Sequence, residues 1–160
     1  MTIGSARGLV ACGYRCELHV VAANGFYSRL RIFSRYLGQR KVDGYGRYTL
    51  LRAHDASYAV LPQSLDEILA SGLFSRTVLY DIERNVLFDS RLDARDPSEA
   101  VAAIMALVRS RAHQPLERLL SDAQSMRRLA MELGCGDVVM ADVTRLIDDL
   151  IVAIGEETAR

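Results

Sequence analysis

From Tyr14 to Ala22 the chain alternates and then runs apolar, YRCELHVVA, closing on the β-branched pair Val20 and Val21. That pattern predicts a strand, and Asn24-Gly25 stops it. FYSRLRIFSRYLGQRK then carries Phe26, Leu30, Phe33 and Leu37 at helical spacing, with Arg29, Arg31 and Arg35 around the other sides. This is a basic amphipathic helix for which Gly38 is the expected stop. Gly44 and Gly46 punctuate VDGYGRY, after which RYTLLRAH and ASYAVLP read as two extended segments about a turn at His54-Asp55. SLDEILASG predicts a short helix capped by Ser64 and Glu67, with Leu65, Ile68 and Leu69 inward and Gly72 after its end. RTVLYDIERNVLFDS reads as a strand, a polar turn at Glu83-Arg84-Asn85 and a second short strand.

After RLDARDP, the expected linker, the pattern becomes helical to the end. Asp96 is the N-cap of the first helix, with Pro97 in its opening turn, Glu99 as reciprocal cap, and Val101, Ile104, Met105 and Val108 on its apolar side. Pro115 opens a second helix with Leu116, Leu119, Leu120, Ala123 and Met126 on one side and Gly134 at its end. Gly136-Asp137 opens a third, whose stripe runs through Val139, Met140, Val143, Leu146, Ile147, Leu150, Ile151 and Ile154. Helices joined by short turns pack antiparallel, or two pair while the third covers the sheet. The width of the stripes predicts docking on the α/β part or self-association. The expected class is α/β: a small mixed sheet with flanking helices over residues 1–92, then a three-helix segment over 97–160.

Composition changes this picture little. The chain has 160 residues, half of them hydrophobic, and a formal net charge of +0, so no overall field draws it to nucleic acid or membrane. The positive charge is nearly all arginine, Lys41 being the one lysine, and between Arg7 and Arg52 the bases outnumber the acids Glu17 and Asp43. Arginine forks onto phosphate oxygens; a general preference for arginine codons gives the same usage. Few asparagines (Asn24 and Asn85) and short connections point to a heat-adapted source. No stretch approaches a membrane span and no leader pattern opens the chain, so the expected location is the cytoplasm.

Candidate chemistry is sparse. Cys12, Cys16 and Cys135 are odd in number, and the C-x3-C spacing lacks the second half of a zinc site. The chain has no G-x4-G-K-[ST] phosphate loop. Glu17 and His19 fall on one face of the first strand, suiting either a hydrogen-bonded couple or a metal or proton-transfer pair. His113 is expected to cap a helix C-terminus. No Ser/His/Asp or Cys/His set can be identified by spacing.

Three short pieces resemble small nucleotidyltransferases of the DNA polymerase β type: IGSARG (Ile3 to Gly8), YRCELHVVAANGF, and SLDEILASGLFSRTVLYDIERNVLFDS. The resemblance implies that Gly4, Ser5 and Arg7 grip phosphate, that Glu17 is a Mg²⁺ ligand and catalytic carboxylate, and that Asp55 is a later carboxylate. Arg29, Arg31 and Arg35 would then contact a nucleotide or nucleic acid, with or without catalysis. No Asp-x-Asp follows Gly-Ser, however, and Arg15 stands where a metal ligand belongs. The alternative is a non-catalytic interaction protein that forms a homo-oligomer, or binds a partner protein, through its C-terminal helices.

Overall fold

A computed structural model describes residues 3–110 and 115–159. Its elements are α1 (Ile3–Ala11), β1 (Cys16–Val21), α2 (Gly25–Asp43), α3 (Leu51–Ala70), β2 (Phe74–Tyr80), β3 (Val86–Asp89), α4 (Pro97–Ser110), α5 (Leu116–Glu132) and α6 (Asp137–Thr158). The expected class stands: a small mixed sheet with helices, α/β. Two compact units form, Met1–Ala23 with Ala59–Arg111, and Asn24–Tyr58 with Ala112–Arg160. The division falls inside α3 rather than at residues 92–97, because α2 joins the second unit and α4 the first.

In the first unit the sheet order is β1-β2-β3, with β1 parallel and β3 antiparallel to β2. Central strands are covered on both faces and read as apolar runs. Thr77, Val78 and Leu79 of β2 are accordingly all buried. Thr77 satisfies its backbone N–H on Ser90 Oγ at 3.0 Å. Val20, Leu79 and Phe88 share a core with Leu65 of α3 and with Ala100, Val101, Met105 and Val108 of α4. The polar turn between β2 and β3 is held by Asp81, whose Oδ1 accepts the N–H groups of Glu83 and Asn85 at 2.8 Å each. Asp96 caps α4 as its sequence predicts, accepting from Ser98 N and Glu99 N at 2.9 and 3.2 Å.

In the second unit α2, α5 and α6 pack around Phe33, Leu37, Leu119, Ala123, Val143, Leu146 and Leu150, with Leu51 of α3. The α6 stripe is therefore largely buried, although Ile151 lies 52% exposed. Of the three C-terminal helices, α5 and α6 pair while α4 packs on the sheet, one of the two arrangements expected. His113 lies outside the described residues.

Three local expectations are corrected. Gly38 does not end α2, which continues to Gly44, a glycine with φ of 77° whose N–H bonds Arg40 O. An interior glycine costs only about 1 kcal/mol, and Arg40 Nη2 donates to the Leu133 carbonyl at 3.0 Å, anchoring the extra turn. Of the two extended segments expected between 47 and 62, residues 47–50 are neither helix nor strand and residues 51–62 are instead the start of α3, which runs through Pro62 to Ala70. Its first N–H, from Leu51, is capped from another element, by Asp142 Oδ2 of α6 at 3.1 Å. Tyr48 donates its hydroxyl to the same oxygen at 2.8 Å. Burial, with Asp142 beside it, pushes the Tyr48 hydroxyl well above its ordinary value, so it remains a donor. Ser64 consequently sits mid-helix rather than at a cap, and Glu67 accepts from Gln63 Nε2 at 3.1 Å.

Candidate functional site

On α2, Ser28, Arg31 and Arg35 recur at intervals of three and four residues, so they share one helical face. Ile32 and this face, together with Thr49, Ala53, His54 and Ser57, line a groove of about 580 Å³ within the second unit. The backbone that places His54 and Ser57 is the first two turns of α3.

The arginines of α2 differ sharply in what they touch. Arg29 is fully engaged: Nε and Nη2 fork onto the Asp55 carboxylate at 2.8 and 2.9 Å, and Nη1 reaches Asp149 Oδ2 at 2.8 Å. Arg31 and Arg35 are exposed, and among the described residues neither is paired with a carboxylate. Arg35 Nη2 makes only a long contact of 3.4 Å to Thr49 Oγ1. Two guanidinium forks thus face the groove with their charge unneutralised, beside three hydroxyl-bearing side chains.

A second feature of the groove is a hydrogen-bonded chain. Ser28 Oγ lies 2.8 Å from His54 Nε2, and His54 Nδ1 lies 3.0 Å from Asp55 Oδ1. His54 also stacks on Tyr58, with ring centroids 5.6 Å apart and planes 18° from parallel. Burial pushes the Asp55 carboxyl up, but hydrogen bonds from Arg29 and His54 outweigh it and hold the group below the usual carboxylate range.

The other residues singled out by the sequence lie elsewhere. Gly4, Ser5 and Arg7 are exposed positions of α1, a regular helix and not a phosphate loop. Glu17, in the first unit, is engaged by two arginines, Arg91 Nη2 at 3.0 Å and Arg76 Nη1 at 3.5 Å, and lies 3.4 Å from His19 Nε2. Burial raises the Glu17 carboxyl, yet Arg91, His19 and Arg76 together outweigh that and hold it low. A carboxylate ringed by guanidinium groups does not suit Mg²⁺, which needs oxygen ligands free of competing cations. Asp55 is occupied by Arg29 and His54 in the same way. Among the described residues no group of three or more His, Cys, Asp or Glu comes together to hold a metal.

Arg76 forms a further pair in this network, donating from Nε to Asp89 Oδ1 at 3.0 Å, while Arg91 N–H reaches the same oxygen at 3.1 Å. Arg76 Nη2 also donates to Asp89 Oδ2, and this fork with the Arg91 N–H holds the Asp89 carboxyl down at about 2, against an ordinary value of 3.8. A depressed carboxyl contributes stability that is complete above its unfolded value and disappears as pH falls through its folded one. Urea unfolding should therefore show stability declining between about pH 4 and pH 2. Asp89→Asn should flatten that decline and lower stability at pH 7.

A family model of zeta toxins matches residues 2–93, more than half of the chain. The chain belongs to the zeta toxin family. In fold, this zeta toxin family member is similar to a solved chain from the PezAT chromosomal toxin-antitoxin system of Streptococcus pneumoniae, with a TM-score of 0.55 and 16% identity. The likeness covers 83% of this chain and 50% of that one, so the chain spans about half the length of the solved relative. No curated protein matches it. The family match replaces the resemblance to DNA polymerase β type nucleotidyltransferases. Its motifs fail physically as well, since IGSARG is helical, SLDEILASG is the end of a longer helix, and Glu17 is bound by arginines. Among the described residues no helix is long and apolar enough to cross a membrane.

The sequence had named Arg31 and Arg35, but not Ser28, Thr49, His54 or Ser57. Reading residues 51–70 as one helix is the signal that would have brought His54 and Ser57 to one side.

Proposed function

We propose that this zeta toxin family member binds a nucleotide, its phosphates held by Arg31 and Arg35 in the groove of the second unit. The carrying observation is the pair of unneutralised guanidinium groups on one face of α2, set against Arg29, whose charge is fully used. Forked, permanently charged donors suit phosphate oxygens, and the hydroxyls of Thr49 and Ser57 line the same groove. Membership in a toxin family and the likeness to a toxin-antitoxin chain support reading the protein as a toxin component.

Thermal unfolding with each nucleoside triphosphate, with and without Mg²⁺, tests the reading. A ligand at about a hundred times its Kd adds about 2.7 kcal/mol to the folded state. An upward shift with at least one triphosphate is expected, and no shift with any of them at millimolar concentration contradicts it.

A second reading concerns a protein partner. Ile151 and Val152 of α6 remain exposed, which leaves apolar surface on a C-terminal helix for another chain of this protein or a second protein. Sedimentation at tens of micromolar should give twice the chain mass if the contact is with a second copy. A monomer mass would remove self-association from the account.

A further inference from the structure

We propose that Ser28 is a catalytic nucleophile, activated by His54 and Asp55, in a hydrolytic site for carboxylic esters that carry an anionic group. Only the charge of the substrate rests on the phosphate-groove reading; the nucleophile stands on its own geometry.

The protonation pattern follows from what each group can donate. An ionised carboxylate only accepts, so the 3.0 Å contact to Asp55 Oδ1 places a proton on His54 Nδ1, and a base at this position has its other nitrogen free. Nε2 is then a lone pair, and the 2.8 Å contact makes the Ser28 hydroxyl its donor. The hydrogen of Ser28 points to a base, and its oxygen lone pairs are left for the groove that Ser28 and His54 both line. This is the order of roles in a Ser-His-Asp triad, which is recognised by geometry and not by sequence order.

The supporting contacts fix the base. Arg29 forks onto Asp55 and is itself tied to Asp149 on α6, so the carboxylate that orients His54 is anchored by a second helix. Tyr58 stacks on the imidazole from one turn further along α3. Arg31, one helical turn from Ser28, supplies donors for the oxyanion that forms on attack, and Arg35, two turns away, supplies a fork for an anionic substituent.

The reaction balances without an added oxidant, metal or cofactor. Ser28 Oγ bonds to the acyl carbon as its proton passes to His54 Nε2. The bond from carbon to the leaving oxygen breaks, and that oxygen takes the proton from His54. Water then attacks the acyl-serine, gives a proton to His54 and releases the acid, and Ser28 regains its hydrogen.

Diisopropyl fluorophosphate tests the nucleophile on the whole protein. The reagent is uncharged and carries no anionic substituent for Arg35, so its outcome is separate from that of nucleotide binding. Intact mass should show one adduct with loss of fluoride, and peptide mapping of the wild-type protein should place it on Ser28, which requires no variant to fold. His54→Gln should slow the adduct on the order of 10²-fold, and Ser28→Ala should abolish it. The protein should hydrolyse mono-p-nitrophenyl succinate faster than p-nitrophenyl acetate, a preference that Arg35→Ala erases. No adduct on Ser28, an adduct rate unchanged in His54→Gln, or turnover of neither ester would overturn the proposal. Equal turnover of both esters by the wild-type protein would overturn its anionic substrate class.

Discussion

Phe33→Ala should lower the unfolding free energy by about 3–5 kcal/mol, the range for truncating a fully buried aromatic side chain. Phe33 is 0% exposed and lies at the centre of the α2 face that meets α5 and α6, with Leu30 and Leu37 one turn to either side. Its ring stands 5.9 Å from that of Tyr48, whose hydroxyl is fixed on Asp142. The neighbours are held by helices on several sides and cannot close over the space a ring leaves, so the cavity term adds to the lost transfer energy. Val42→Ala on the same helix removes a side chain that is 82% exposed and should change stability by less than about 0.5 kcal/mol. Urea unfolding of both variants checks the contrast. Comparable losses would mean that α2 is not packed as described.

Arg31→Glu combined with Arg35→Glu should weaken nucleoside triphosphate binding on the order of 10²-fold or more. Hydrogen bonds to charged groups contribute about 1.5–3 kcal/mol each, and the reversed charges repel the phosphates as well. Because neither arginine has a carboxylate partner among the described residues and both are exposed, the folded state should lose little stability. Arg7→Glu makes a useful comparison, since it changes a basic residue on α1 in the first unit. Affinity should survive that substitution. If Arg7→Glu weakened binding as much as the double variant, general charge and not the groove would account for it.

Much of the fold was legible in local signals. The β2–β3 hairpin, the Asp96 cap and the stripes of α4, α5 and α6 each follow from a few neighbouring residues, and the structure has them where the pattern puts them. The long helix α3 was not, because its evidence is not local. Leu51 receives its cap from Asp142, 91 residues away, and Pro62 with the runs TLL and YAVL imitates two extended segments. That one misreading hid the site. With His54-Asp55 taken as a turn, nothing placed His54 beside Ser28, although the chain between them forms a groove wall.

The arginines show the converse limit. Composition marks the whole segment from Arg7 to Arg52 as basic, and periodicity groups Arg29, Arg31 and Arg35 on one helix. Only the tertiary contacts separate Arg29, neutralised by Asp55 and Asp149, from the two that remain open to a ligand. Glu17 is the same lesson for acids: a carboxylate on a strand suggests a metal ligand until Arg76 and Arg91 are found on it.

If Arg31 and Arg35 hold nucleotide phosphates, amide hydrogen exchange with and without a saturating nucleoside triphosphate will locate the bound ligand on the chain. Exchange should slow across residues 28–35 and 49–57, the two stretches that line the groove. Protection confined to α1 and β1, with those stretches unchanged, would contradict that role of Arg31 and Arg35.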